Sequence, residues 1–407
     1  MNMLATLFLA TIFVRSLALP PHTTVAQPFE RMELMSRNPI SVGGNTVAAD
    51  MRQSYRHGLV VWKNGRRISL PAIWPRYREY LSLYLELGTV APNGALYAMR
   101  AQGFSGAYSG TWYDVFRLTP PSWRQINTTG CSAGDGVAHV ERVEPDGSLY
   151  LTYESPELIN FDYADTGGYA PYAAYLRNGH CRILGRFNLR DVNAGFAVGF
   201  RGYLHSVLAP TNLNLAQQRF VAVRYYRGRV QEIGPGEAFA VSADGFAVGS
   251  DAPPIDMWYS ESGTGIGYHE YSCCTPHAVL WDARLNMVRL APQALRSVAY
   301  QIDRAHRVVG MLLGRDGRHY AFLWESGHLH LLDEVAHVPG WRFEAAYRFL
   351  SNGSIVGTAT HHGIATVFVM SSNHFPWAAL RSPSRGLPKI HNATNAASAA
   401  PASGPAA

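Results

Sequence analysis

His277-Ala278-Val279-Leu280-Trp281, then Met287-Val288-Arg289-Leu290, Ala299-Tyr300-Gln301-Ile302 and Val308-Val309-Gly310, form a pattern that the following stretch repeats. The second copy runs Tyr320-Ala321-Phe322-Leu323-Trp324, His328-Leu329-His330-Leu331-Leu332 and Ala345-Ala346-Tyr347-Arg348-Phe349-Leu350. It turns at Ser351-Asn352-Gly353 and closes with Ser354-Ile355-Val356-Gly357. Each copy holds four short runs rich in β-branched and aromatic residues, separated by Gly, Asn and Asp turns. Such a series reads as a four-stranded antiparallel meander. One meander buries too little apolar surface to stand alone and must stack against others.

The two halves of this template recur along the chain. The turn-plus-strand half appears at Val42-Gly43-Gly44-Asn45-Thr46-Val47-Ala48, and from Val90 to Tyr97, Val143 to Tyr150, Val192 to Gly199 and Val241 to Gly249. The other half appears at Leu59 to Trp62, Trp112 to Leu118, Ala173 to Leu176, Val221 to Tyr225 and Ala365 to Val369. Counting the template itself, each half occurs about seven times at a spacing of about 50 residues, which is the size of a propeller blade. The expected fold is therefore all-β: a closed β-propeller of about seven four-stranded blades across residues 27–380. An open β-solenoid is the competing architecture. The pattern does not say which strand of a blade comes first.

The motif His277-Ala278-Val279-Leu280-Trp281 and its partner Ala321-Phe322-Leu323-Trp324, each followed by a Gly-containing turn and Val-Gly, resemble the units of the HAF-type extracellular repeat proteins. The resemblance is strong after Ala238 and looser before it. It implies a propeller-like fold in a secreted or periplasmic protein, and it assigns no activity.

Composition fits a packed repeat protein. Of 407 residues, 47% are hydrophobic and 16% charged, which leaves little material for disorder. The formal charge is +6, but Arg15 near the start and Arg381, Arg385 and Lys389 near the end leave the body at about +2. That balance is too weak and too scattered for a nucleic-acid footprint. Lys63 and Lys389 are the only lysines, one in an expected turn and one in the tail, which argues against Schiff-base chemistry. The apolar run from Met3 to Val14 is too short to span a bilayer and reads as a signal peptide over residues 1–26, cleaved after Ala18 or Ala26. No other stretch is long enough to span. Residues 381–407, an Ala/Ser/Pro/Asn tract, read as a disordered tail. The segments Glu30 to Met35 and Phe375 to Leu380 are placed as strands that could close the ring.

Strand parity locates the binding surface. In a meander, successive connections alternate between the two ends of the sheet, so the short Gly/Asn/Asp turns share one face and the long connections the other. The long ones run from Ala72 to Leu87, Glu154 to Pro171, Phe200 to Arg219 and Ser250 to Pro276. Long loops on a rigid scaffold tend to carry function. The Ser250–Pro276 segment is the richest in aromatic residues beside acids. Its Asp256, Trp258, Tyr259, Glu270 and Tyr271 form the ligand-binding set expected here, with rings stacking on a ligand and carboxylates anchoring it. The same residues could instead pack the loop onto the ring, or serve as an acid/base pair in glycoside cleavage.

Complete catalytic motifs are missing from the sequence. Gly263-Thr264-Gly265-Ile266-Gly267 lacks the spacing of a dinucleotide loop, and Gly103-Phe104-Ser105-Gly106 misses the nucleophile elbow by one residue. His328/His330 and His361-His362 have no third ligand nearby in the sequence. The expectation is a monomeric, non-catalytic binding or scaffold module without cofactor or metal, taking a glycan or protein ligand outside the cytoplasm. A glycan-acting hydrolase or lyase is the alternative. In an exported chain, Cys131, Cys181, Cys273 and Cys274 are disulfide candidates with three pairings open. The sequence places Cys131 on the long-connection face with Cys273 and Cys274.

Overall fold

Several hairpin turns start from a local hydrogen bond that the sequence supplies. Side-chain oxygens of Asn93, Asp146, Asp303 and Asn352 accept the amide two residues on, at 3.0, 3.0, 2.8 and 3.0 Å. Such Asx turns reverse the chain between paired strands. The computed structural model describes residues 40–370, apart from 54–55, 65, 72–81, 105–109, 120–121, 129–130, 132–137, 154–171, 209–213, 253–256, 263–264 and 271–274. The expected signal peptide, the tail and both proposed closing strands lie outside the described residues.

Seven antiparallel sheets follow one another along the chain. Blade one is β1 (Ile40–Gly43), β2 (Thr46–Gln53), β3 (Arg56–Lys63) and β4 (Arg66–Ile68). Blade two is β5 (Ser82–Val90), β6 (Leu96–Phe104), β7 (Gly110–Thr119) and β8 (Ser122–Gln125). Blade three is β9 (Ala138–Val143), β10 (Leu149–Tyr153), β11 (Tyr172–Arg177) and β12 (His180–Arg186). Blade four is β13 (Asn188–Asn193), β14 (Phe196–Leu208), β15 (Asn214–Tyr226) and β16 (Arg229–Pro235). Blade five is β17 (Glu237–Val241), β18 (Ala247–Ser250), β21 (Ala278–Trp281) and β22 (Met287–Arg289). Blade six is β23 (Arg296–Ile302), β24 (Val308–Leu313), β25 (His319–Glu325) and β26 (His328–Leu331), followed by the short helix α1 (Leu332–Ala336). Blade seven is β27 (Trp341–Phe349), β28 (Ile355–His361) and β29 (Ile364–Met370) among the described residues.

The chain is a β-propeller, and the sheets fix its phase. The turn-plus-strand half of the repeat forms the two inner strands of each blade, and the Leu-Trp half forms the third. The sequence template therefore straddles two blades: β21 and β22 are the outer strands of blade five, while β23 and β24 are the inner strands of blade six. First and last blades share one apolar cluster, in which Ile40, Ala49, Val60 and Trp62 meet Ala345, Tyr347, Val356 and Val367, with Val47 packed against it.

The Val-Gly step of the repeat has a steric cause. In blades four to seven, a Cβ at Gly199, Gly249, Gly310 or Gly357 would lie 1.7, 1.9, 2.1 or 2.0 Å from a carbonyl oxygen of the innermost strand. Beside each of these contacts the inner strand is bulged. A bulge draws the partner backbone close, and only glycine leaves room for it. Ala49 and Ala98 stand at the equivalent positions of blades one and two, and Leu151 in blade three. The looser sequence match of the early repeats has this structural counterpart.

Candidate functional site: the central ring and the long-connection face

Six of the seven innermost strands carry a register shift at the same place, which leaves Gly88, Glu141, Arg190, Phe239, Tyr300 and Tyr347 without a direct partner in the ladder. The extra residue of a bulge re-aims its side chain. Three of these residues, Phe239, Tyr300 and Tyr347, meet in one buried cluster, with Arg190 over Phe239. Phe239 and Tyr300 have ring centroids 6.0 Å apart, and Tyr300 and Tyr347 4.7 Å apart. The same cluster continues from Phe239 of blade five through Val298 and Met311 of blade six and Ala345 and Val356 of blade seven to Ile40 of blade one, so it links four consecutive blades. Burial raises both tyrosine pKa values, that of Tyr347 to about 12 with a Thr358 hydrogen bond opposing. Burial favours the neutral form of these hydroxyls.

Charged residues flank the aromatic plug. Arg190 lies over Phe200 and Phe239, 4.9 and 5.9 Å from their centroids, and reaches the buried Glu237 at 3.5 Å. Desolvation raises the Glu237 pKa to about 7, against the pull of Arg190. Toward the short-turn end, Arg142 donates to Asp191 Oδ1 at 3.0 Å, and Asp191 Oδ2 accepts the Val241 amide at 3.1 Å. Burial lowers the pKa of Arg348 in blade seven, while Asp191 in blade four raises it and Arg142 lowers it further. Sequence reading missed this set. Its signal was present, because each of Arg142, Asp191, Gln301 and Arg348 stands one residue before the last apolar residue of an inner strand. Arg142, Asp191 and Glu237 are held in ion pairs or seam hydrogen bonds. Among the described residues no group of three His, Cys, Asp or Glu could hold a metal ion.

Strand parity holds, and the Ser250–Pro276 connection leaves β18 on the long-connection face. It differs from the expected loop in containing a hairpin, β19 (Met257–Ser262) and β20 (Gly265–Glu270). Trp258 pairs with His269, Tyr259 with Tyr268, and Met257 with Glu270. Trp258 and Tyr259 are consecutive strand residues and so occupy register positions of opposite faces. Asp256 and Tyr271 lie outside the described residues. The Phe200–Arg219 connection also differs, since β14 and β15 extend as two 13-residue strands. Ser260 and Tyr259 pair with Leu215 and Ala216, so that β14, β15, β19 and β20 make one projecting sheet from the connections of blades four and five. Runs such as Tyr203-Leu204-His205 and Met257-Trp258-Tyr259 carry enough β-propensity to extend the ladder. Their sequences held that signal, but connection length obscured it. Ser82 to Leu87 likewise belongs to β5, whereas Glu154–Pro171 lies outside the described residues.

Cys131 corrects the expected placement on the long-connection face. It is buried among Val115, Val140, Val143, Leu149 and Leu176, between blades two and three, and is bonded to Cys181 with Cα atoms 4.9 Å apart. The connection from β8 dips into the blade interface because Ile126 continues the β7 ladder, donating its amide to Val115 at 2.8 Å. Cys273 and Cys274 lie outside the described residues.

No family model matches the chain, and no curated protein matches it. Among solved structures, the chain is similar to the propeller domain of the Trilobed protease from Pyrococcus furiosus, at 10% identity and a TM-score of 0.46, over 82% of this chain and 94% of that one. It is similar to a polysaccharide lyase at 10% identity and a TM-score of 0.42, over 88% of this chain and 94% of that one. It is also similar to a puromycin-hydrolyzing peptidase from Mycobacterium tuberculosis, at 12% identity and a TM-score of 0.36, over 83% of this chain and 61% of that one. At these values the likenesses carry no argument about activity, and the fold rests on the sheet order itself.

Proposed function

We propose that the protein is an exported, non-catalytic binding or scaffold module that takes a glycan or protein ligand on its long-connection face. One observation supports this most. The connections of blades four and five join into a single projecting sheet, and a rigid sheet presents side chains more reproducibly than separate loops do. On this reading Asp256, Trp258, Tyr259, Glu270 and Tyr271 supply the contacts, and Trp258, Tyr259 and Glu270 belong to the hairpin strands. Export is supported by the Cys131–Cys181 bond, since stable disulfides belong to oxidising compartments. No helix among the described residues is long and apolar enough to cross a membrane. The HAF-type resemblance agrees with an extracytoplasmic setting.

The test is a screen of the purified protein on a glycan array, run beside turnover assays with ester, peptide, phosphate and glycan substrates. The reading expects a saturable ligand without turnover. Turnover abolished by Asp256→Asn or Glu270→Gln would replace it with the glycan hydrolase or lyase alternative.

A further inference from the structure

The opposite face carries a second feature, built entirely from described residues. A groove of about 690 Å³ runs between blades three and four, lined by Arg182, Ile183 and Leu184 of β12, by the β13–β14 turn, and by Tyr225, Tyr226 and Arg227 near the β15–β16 turn. Both turns are short, so parity sets the groove on the short-turn rim. Ile183 is 53% exposed and Tyr226 36%, unusual values for large apolar side chains on this molecule.

Both walls are constructed alike. On blade three, Arg182 lies over Tyr175 at 5.5 Å, and Tyr175 packs on Tyr150 at 4.9 Å. On blade four, Arg227 lies over Tyr226 at 5.0 Å, and Tyr226 stacks on Phe196 at 4.1 Å and 9°. A guanidinium packed over a ring is partly pre-positioned and loses less entropy on binding an anion. No carboxylate lines the groove, and two nearby acids already face other arginines, Asp146 with Arg177 at 3.4 Å and Glu232 with Arg201 at 3.5 Å.

We propose that this groove binds an acidic glycan, with Arg182 and Arg227 taking its carboxylate or sulfate oxygens and Ile183, Leu184 and Tyr225 receiving the apolar faces of its sugars. Sugar acids project from ring edges while the ring faces are apolar, which matches cations on the walls and an aliphatic floor. A peptide would bring backbone donors and acceptors onto Leu184, Ala194 and Gly195, whose side chains offer them no partner. The site is independent of any ligand on the long-connection face.

The test measures binding of polygalacturonate, heparin, neutral dextran and poly-L-glutamate by calorimetry, in about 50 mM salt where charge contacts are weakly screened. Polygalacturonate alone, heparin alone, or both should bind, which distinguishes carboxylate from sulfate recognition, and dextran should not. The Arg182→Gln/Arg227→Asn variant should lose about tenfold or more in affinity, the scale of lost charge-assisted hydrogen bonds. Asn is chosen because Arg227 has φ of +49°, which Asn tolerates. The control Arg66→Gln/Arg67→Gln removes equal charge from exposed positions of blade one and should change affinity by less than about twofold. Circular dichroism confirms that each variant is folded. The proposal fails if neither acidic polysaccharide binds, if the control loses as much as the groove variant, or if poly-L-glutamate binds as tightly.

Discussion

Asp191 of blade four accepts the backbone N–H of Val241 in blade five at 3.1 Å, sealing the seam between two innermost strands. The same device recurs elsewhere in the ring. Gln301 accepts the Phe349 amide between blades six and seven, and Ser41 accepts the Val90 amide at 2.9 Å between blades one and two. A polar residue one step before the last apolar residue of an inner strand thus supplies what a neighbouring blade's edge lacks.

Replacing Asp191 tests how much this seam contributes. Asp191→Ala leaves the buried Val241 amide without its acceptor and should cost about 1–3 kcal/mol in urea unfolding. Asp191→Asn still offers an oxygen to Val241 but loses the charge facing Arg142 and the buried Arg348. That variant should cost less than Asp191→Ala, because the Val241 amide keeps its acceptor. Equal losses in the two would assign the effect to the ion pair rather than the seam.

Glu237 should give the protein a measurable pH dependence. Its folded pKa of about 7 stands above the ordinary value of 4.5, so between these pH values the folded state binds more protons than the unfolded one. Stability from this group is therefore full below pH 4.5 and declines as pH rises through 7. The slope contributed cannot exceed about 1.4 kcal/mol per pH unit. Comparing urea midpoints of wild type and Glu237→Gln across this window isolates the contribution, and parallel curves would refute it.

The Cys131–Cys181 bond closes a loop across 50 residues and joins a buried connection to the edge strand β12. Its loss in Cys131→Ala/Cys181→Ala should lower stability by about 2–4 kcal/mol. Dithiothreitol should destabilise wild type to a similar extent. Any remaining effect of the reductant on the double variant would report on Cys273 and Cys274.

What the sequence made legible was whatever repeats. Val241 to Gly249 and Ala321 to Trp324 announce hairpins because turn chemistry and β-propensity agree there, and every half-repeat read from the sequence falls on described strands. Phase was not legible, because a meander looks the same wherever counting starts; the pairing of β10 with β11 and of β18 with β21 across long connections breaks that symmetry. The central ring was hidden for another reason. Gly88, Glu141 and Arg190 share a structural position with the aromatic Phe239, Tyr300 and Tyr347, and a bulge position that takes such unlike residues leaves no letter common to all the repeats. Cys131 was misplaced because connection length says nothing about depth.

The hairpin β19–β20 carries the last prediction. If the long-connection face binds a ligand, its Trp258 and Tyr271 should supply much of the affinity, since aromatic anchors dominate recognition energies and truncating one at a hot spot costs about 2 kcal/mol or more. A hairpin that merely extends β15 would respond differently. Truncation would then weaken the ladder that pairs Ser260 with Leu215, lowering the melting temperature while affinity per folded molecule stays constant. The two effects separate when Trp258→Ala and Tyr271→Ala are each measured for melting temperature and for affinity toward the ligand found in the array. The expected result is a drop in affinity of about thirtyfold for each, the equivalent of 2 kcal/mol, with melting temperature changed little. Because Trp258 and Tyr259 occupy register positions of opposite faces, Tyr259→Ala provides the internal contrast. Affinity lost at Trp258 but kept at Tyr259 would identify which face of the projecting sheet meets the ligand, and stability lost without affinity in both Trp258→Ala and Tyr271→Ala would reduce the hairpin to a structural element.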